Sequence, residues 1–446
     1  MDKGTIRILM FPWLGYGHIT PYLELAKKLT TRNFIIYLCS TPANLGCIKQ
    51  KISEKFVHSI QLVSLHLPTL PGLPPHLHTT NGLPLDLMPT LKVAFDMAEP
   101  EFANILSSIK PDLLIYDFLQ PWAPLAASVQ NIPAVEFITS SSTMTSLMFH
   151  HFKKPGIEFP FPKIYFREYE SKLLNKLLAC ASDPREKVRA SEGVARSCKI
   201  VLIKGSRKTE AKYIDYVTEL VGKKFVPVGS LVQEPSLEDE NSEIIEWLNK
   251  KEKKSTVFVS FGSEYFLSKE DTEEIAHGLE LSNINFIWVV RFPKGVEHKL
   301  EETLPKGFLE IVSGRGLVIE GWAPQLKILG HENIGGFLSH CGWNSVLESM
   351  NFGVPIIALP MHLDQPINAR FVEDIGVGVE VVRDSKGQLH RERLAEVIKQ
   401  VVMEKSGEFV REKANEMKEK ISEKGDQEID EIVAELVEVC NSGPSS

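Results

Sequence analysis

Short apolar runs rich in β-branched residues alternate along the chain with longer stretches in which apolar positions recur three and four residues apart. Runs of that length suit strands buried on both faces of a parallel sheet, and the longer stretches suit the amphipathic helices that cover it. In the first half, 5–12, 33–40, 59–65, 112–118, 133–138 and 198–204 are predicted strands, with helical patterns such as 21–30 and 121–129 between them. The rhythm restarts with predicted strands at 256–263, 285–291, 316–320, 334–339, 354–360 and 376–382. An α/β fold in two domains follows.

Three segments depart from this alternation. The stretch 233–242 is acidic and carries Pro235, Ser236, Glu238, Asp239 and Glu240, a composition that favours an exposed linker. Residues 68–89 contain six prolines together with His76, His78, Thr79, Thr80, Asn81 and Gly82, the composition of a long irregular loop. Beyond Leu389 the chain is charged and helical through Cys440, with Lys and Glu interleaved as solvated i,i+4 pairs, and 441–446 reads as a frayed tail. No repeat with a period of about 20–50 residues is present.

Length supports the division: 446 residues exceed the ~100–200 of an ordinary domain. Fifty Lys and Arg against 58 Asp and Glu leave a formal charge of −8, so no global positive field recruits nucleic acid. Six cysteines are scattered without C-x-x-C spacing, which argues against a zinc site or a disulfide framework and for free thiols. The first apolar stretch, interrupted by Arg7, runs straight into loop residues and reads as a strand instead of a leader. No run of ~18 apolar residues is available to span a bilayer, so a cytoplasmic protein is expected.

The chemistry-bearing residues cluster where predicted strands end. His340-Cys341-Gly342-Trp343-Asn344-Ser345 lies between a strand and a short helix that Gly353 should stop. Such a turn aims backbone N–H groups and the helix dipole at one spot, which suits a phosphate. The plainer alternative is a capping box of Ser345 and Glu348. Phe261-Gly262-Ser263-Glu264 ends another strand with a glycine and a hydroxyl, and ligands of doubly wound folds sit beyond strand carboxyl ends. Trp322-Ala323-Pro324-Gln325 offers a ring that could be core or could stack on a base.

Gly15-Tyr16-Gly17-His18 follows the first strand, but the full dinucleotide fingerprint is absent. His18 is a candidate general base. Asp117 closes the predicted strand at 113–116, and parallel strands deliver their carboxyl ends to one edge, so the two residues can meet. A carboxylate on Nδ1 would fix the tautomer and stabilise the imidazolium. No aspartate has another two positions away, so the D-x-D arrangement that holds a metal against a diphosphate is missing.

Trp322 through Gln365, 44 positions counted inclusively, resembles the whole donor box of plant UDP-glycosyltransferases, and the resemblance extends over essentially the full chain. It implies a GT-B type fold, two Rossmann-like doubly wound domains facing across a cleft: an acceptor-binding domain at 1–232, the linker 233–242, a UDP-sugar domain at 243–425, and a helix at 426–446 returning to the first domain. It further implies that Trp322 stacks on uracil with Ala323 and Gln325 nearby, and that Glu348 binds the ribose. Ser263, His340, Asn344 and Ser345 would bind the diphosphate, and Asp364 and Gln365 the sugar. Gly17, Gly342 and Trp343 complete the implied donor site.

By the same resemblance His18 is the base and Asp117 its partner in an inverting transfer that uses no metal. Gln365 ending the box favours UDP-glucose. The segments 77–84, 115–122 and 261–268 look closest to the branch that adds a sugar to a sugar already on a glycoside. Lys208 and Ser230 depart from that branch's usual acidic residue and proline. Trp13, Phe118, Trp122, Thr139 and Ser140 are candidate acceptor-pocket residues. Transfer to an aglycone hydroxyl and UDP-sugar binding without turnover are the alternatives, and a monomer is expected.

Overall fold

The computed structural model describes residues 5–179, 188–234, 243–262, 265–292, 300–422 and 427–443; Ser263 and positions 235–242 of the expected linker lie outside them. The chain divides into two compact units. One comprises Met1–Ile157, Leu178–Leu231 and Lys424–Ser446, the other Glu158–Leu177 and Val232–Glu423.

In the first unit the strands are β1 (Ile6–Phe11), β2 (Phe34–Ser40), β3 (Ile60–Ser64), β4 (Leu113–Tyr116), β5 (Ala134–Ile138), β6 (Ile200–Ile203) and β7 (Lys224–Pro227). They form one sheet in the order β3-β2-β1-β4-β5-β6-β7, with every pairing parallel. Alternate side chains enter opposite layers, as a pleated strand requires. Ile8 and Met10 of β1 join Tyr22 and Leu25 of the Tyr16–Thr30 helix and Ile432 and Leu436 of the Gln427–Ser442 helix; Leu9 and Phe11 join Phe95, Phe102 and Trp122.

The second unit repeats the scheme with β8 (Thr256–Ser260), β9 (Asn285–Val290), β10 (Gly316–Glu320), β11 (Ile334–Ser339), β12 (Ile356–Ala358) and β13 (Gly378–Glu380). Their order is β10-β9-β8-β11-β12-β13, again all parallel. Val257, Val259 and Trp288 pack with Leu394, Val397 and Val401 on one face, and Phe258 and Phe337 with Ile328 and Leu329 on the other.

All the strands expected from the apolar pattern form within their predicted bounds, and β7 is an addition. Lys-Phe-Val-Pro is short, starts with a charge and ends with proline, which is tolerated because β7 is the sheet's edge. The helix expected at 21–30 starts earlier, at Tyr16 behind Gly15, so His18 sits in its first turn. The proline-rich stretch contains the short turns Pro75–Leu77 and Leu85–Leu87 ahead of the Met88–Asp96 helix. It is fastened inward: Thr41 donates its hydroxyl to the His78 carbonyl at 2.6 Å, and Thr79 donates to Asn44 Oδ1 at 2.7 Å.

Glu158–Leu177 precedes β6 in the chain yet packs with the second unit. Arg167 donates to both oxygens of Glu380 at 2.6 and 3.1 Å. Arg370 donates to both oxygens of Glu170 at 2.6 and 2.8 Å, and to Glu380 at 2.7 Å. Glu170, Arg370 and Glu380 are buried, so removing one partner would strand a charge in a dry site. Hydrophobic periodicity carries no trace of such a fastening.

Candidate active site

In a doubly wound sheet the crevice opens beyond the strand ends where the connections change direction, which is between β1 and β4 in the first unit. β1 leads through Gly15 into the Tyr16–Thr30 helix, whose first turn carries His18; β4 ends at Tyr116 and delivers Asp117 next. Phe11 and Tyr116 are register partners, so residues 99 positions apart emerge side by side. His18 Nδ1 stands 2.7 Å from Asp117 Oδ2. The aspartate is fully buried, whereas 23% of the histidine side chain is exposed.

The second carboxylate oxygen accepts the Leu119 N–H at 3.4 Å, and the Thr139 hydroxyl, just beyond β5, stands 3.1 Å from His18 Nδ1. A carboxylate at this distance keeps the ring proton on Nδ1 and the lone pair on Nε2, the tautomer a base needs. Burial holds Glu136, the register partner of Tyr116, well above the usual carboxyl range, with Asp117 adding to the effect.

The other first-unit candidates separate by burial. The Phe118 ring lies 5.9 Å from that of His18, and Ser140 Oγ is 3.3 Å from Thr145 Oγ1. Trp13 packs edge-on against Phe95 at 5.1 Å. Trp122 packs against Phe11, Phe95 and Phe102, with its indole N–H donated to Asp96 at 3.0 Å. Both tryptophans thus belong to the core layer. At Gly17 an added Cβ would meet nothing within 4 Å.

In the second unit the connections change direction between β8 and β11. β11 is followed by His340 and Cys341, and Gly342 occupies the N-cap of the Trp343–Phe352 helix without a side-chain cap bond. Ser345 is therefore the third residue of the helix and not its cap, which removes the capping-box alternative. Gly353, with φ of 69°, stops the helix where expected.

His340 fits between two glycines. A Cβ on Gly262 would stand 2.7 Å from its Nε2, and one on Gly342 would stand 2.5 Å away. Gly262 also has φ of 79°. Burial, with His362 adding to it, pushes His340 down to about 3, so the ring is a neutral donor at ordinary pH. Backbone, glycine and uncharged imidazole at a helix start suit an anion.

Trp322 follows Gly321 beyond β10 with 64% of its surface exposed, unusual for so large a ring. Gln325 opens the Gln325–Leu329 helix and donates Nε2 to Glu348 Oε2 at 2.5 Å and to Ser345 Oγ at 3.3 Å. The structure thus brings Gln325, Ser345 and Glu348 together, with the exposed Trp322 three residues ahead of Gln325, Ala323 buried between them and Asn344 in the first helical turn. Trp343 is buried edge-on to Phe371 at 5.6 Å.

Asp364 and Gln365 open the Gln365–Asp374 helix beyond β12. Gln365 Oε1 accepts the backbone N–H groups of Met361 and His362 at 3.0 and 3.1 Å, which fixes the orientation of the amide. Asn368, which sequence reasoning passed over, donates Nδ2 to Asp364 and to the Cys341 carbonyl. Among the described residues no group of three or more His, Cys, Asp or Glu is arranged to hold a metal ion.

Two doubly wound units, one with a glycine-lined helix start, form the architecture of a nucleotide-binding protein. The family model described as UDP-glucoronosyl and UDP-glucosyl transferase matches residues 222–419, and the one described as Glycosyltransferase, N-terminal domain matches residues 4–233. The chain belongs to the UDP-glycosyltransferase family.

Beta-D-glucosyl crocetin beta-1,6-glucosyltransferase of Gardenia jasminoides is 55% identical over 442 residues, covering 98% of this chain and 100% of that protein. A Mogroside IIIx synthase of Siraitia grosvenorii is 54% identical over 439 residues, covering 97% and 93%. Glycyrrhiza uralensis UGT73P12, solved in complex with glycyrrhetinic acid 3-O-monoglucuronide, shares the fold with a TM-score of 0.83 at 22% identity, over 98% of this chain and 96% of that one.

Proposed function

We propose that this enzyme transfers glucose from UDP-glucose to a hydroxyl of a sugar already carried by a plant metabolite glycoside, lengthening or branching its sugar chain. One observation carries the acceptor class: 55% identity from end to end with a protein named as a β-1,6-glucosyltransferase of glucosyl crocetin. The chemistry rests on the 2.7 Å pairing of His18 with Asp117.

In this reading a single displacement inverts the anomeric carbon. An alcohol is too weak an acid to ionise beforehand, so its proton moves to His18 Nε2 as the oxygen attacks. The new bond joins the acceptor oxygen to the anomeric carbon, and the bond to the phosphate oxygen breaks with its electron pair leaving on UDP. Asp117 stabilises the imidazolium. The leaving diphosphate is held by the start of the Trp343–Phe352 helix, by His340, Asn344 and Ser345, and by Ser263, without a metal.

Trp322 stacks on uracil beside Ala323 and Gln325, Glu348 binds the ribose, and Asp364 and Gln365 bind the sugar, with Gly17 and Gly342 giving backbone access. Phe118, Thr139 and Ser140 contact the acceptor, with Trp13 and Trp122 as a rigid backing and Trp343 supporting the donor turn from within. The five cysteines of the described residues are all unpaired, which fits the reducing cytoplasm, and the enzyme works there as a monomer in this reading. No helix among the described residues is long and apolar enough to cross a membrane.

The test is purified protein with UDP-glucose in EDTA, offered flavonoid and terpenoid glycosides beside their aglycones, reading UDP release and product mass. Gain of one hexose on glycosides is expected. Transfer chiefly to aglycones would overturn the acceptor class, and a strict metal requirement would overturn the account of the leaving group.

A further inference from the structure

Asp364 and Asn368 lie four residues apart at the start of the Gln365–Asp374 helix, which puts them on one face. Asn368 is fully buried three residues past the donor box. Its Nδ2 donates to Asp364 Oδ2 at 2.9 Å and to the Cys341 carbonyl at 3.0 Å. An amide nitrogen carries two protons in one plane, so a single side chain serves both acceptors at a set angle.

Cys341 makes the turn between β11 and the Trp343–Phe352 helix with φ of 64°, a left-handed conformation rare outside glycine. Its N–H is taken by Ser339 Oγ at 3.1 Å. The sharp turn points its carbonyl toward Asn368. Two strand-to-helix junctions, one after β11 and one after β12, are thereby joined through one nitrogen. Arg370, two residues further along the helix, is itself fixed by Glu170 and Glu380, so the helix that carries Asn368 has a rigid mount.

Resting on the reading above, in which Asp364 holds sugar hydroxyls, we infer that Asn368 is a positioning residue: it sets the Asp364 carboxylate against the phosphate-side turn and so decides which hexose the donor site accepts. UDP alone touches the turn but carries no sugar. Discrimination between UDP-glucose and its 4-epimer UDP-galactose therefore reads the Asp364 placement separately from nucleotide binding.

The experiment measures the affinities of UDP, UDP-glucose and UDP-galactose by calorimetry, with melting temperature, for wild type, Asn368→Ala, Asn368→Asp and Asp364→Ala. For Asn368→Ala, UDP affinity should stay within about twofold while the preference for UDP-glucose falls about tenfold, the scale of a hydrogen bond to a charged group. Asn368→Asp should lose more, because a second carboxylate faces Asp364. Should the alanine variant not fold, Asn368→Ser is read the same way.

Equal weakening of all three nucleotides, or a lower melting temperature with the preference intact, would overturn the inference. If Asp364→Ala abolishes the preference and Asn368→Ala does not, the inference alone fails. If Asp364→Ala leaves the preference untouched, the sugar assignment fails and the inference falls with it.

Discussion

Each unit places a histidine beyond a central strand where its sheet changes direction, and the two histidines are treated in opposite ways. His18 is partly exposed, and its Nδ1 meets a buried carboxylate at 2.7 Å. His340 is enclosed between Gly262 and Gly342, and burial drives it down to about 3. The same imidazole is therefore left partly open beside a carboxylate in one unit and enclosed as a neutral ring in the other. Burial makes the difference at His340, because desolvation penalises the cation.

The sharpest way to break this contrast is His18→Ala. Turnover should fall about 10²- to 10⁴-fold, the usual share of a general base, while UDP affinity by calorimetry stays unchanged. Near wild-type turnover would remove His18 as the base. Asp117→Asn should approach the same loss, about 10⁴-fold at most, since an amide can donate to Nδ1 and favour the wrong tautomer. A loss of only a few-fold in steady-state turnover would demote the pair to a lone histidine.

Gly262→Ala tests the second histidine. The added Cβ would collide with His340 Nε2 and hold a left-handed φ of 79°, a strain of about 1–3 kcal/mol. UDP should bind about tenfold or more weakly in calorimetry. Binding at wild-type strength would show that the ring has room to move.

The pH dependence of stability tests the enclosed ring more gently. His340 is depressed to about 3 and His362, also by burial, to about 4, both below the ordinary 6.5. Below that ordinary value the unfolded chain binds protons that the folded one refuses. Their contribution is therefore complete above about pH 6.5 and is lost as pH falls through about 4 and 3. Melting temperature should drop across this window, and less steeply in His340→Gln. Parallel slopes would contradict the buried neutral ring.

The smallest effect expected is that of Trp322→Ala. Stacking is worth about 0.5–1.5 kcal/mol, so KM for UDP-glucose should rise several-fold. The melting temperature should hardly move, because 64% of the ring's surface is exposed. A marked loss of stability would make Trp322 a packing residue.

Legibility from sequence followed the range of the interaction. The donor box is local: its turn, glycines and helix start are consecutive residues whose backbone preferences dictate the geometry, so the strand, turn and helix around His340 to Ser345 are legible as a unit. The acceptor candidates were less legible. Trp13 and Trp122 share their residue type with pocket aromatics, and only packing against Phe95, Phe11 and Phe102 shows them to be core. Asn368 carried no signal, since a buried amide and an exposed one are written with the same letter.

By itself the sequence determined the two α/β units, the predicted strands and the junctions that carry chemistry, because hydrophobic alternation and turn residues act over a few neighbouring positions. Tertiary structure decided that His18 and Asp117 meet across 99 residues, that Glu158–Leu177 joins the second unit, and that one asparagine ties Cys341 to Asp364. These are contacts between elements. They depend on strand order, register and burial, which a periodic pattern does not encode.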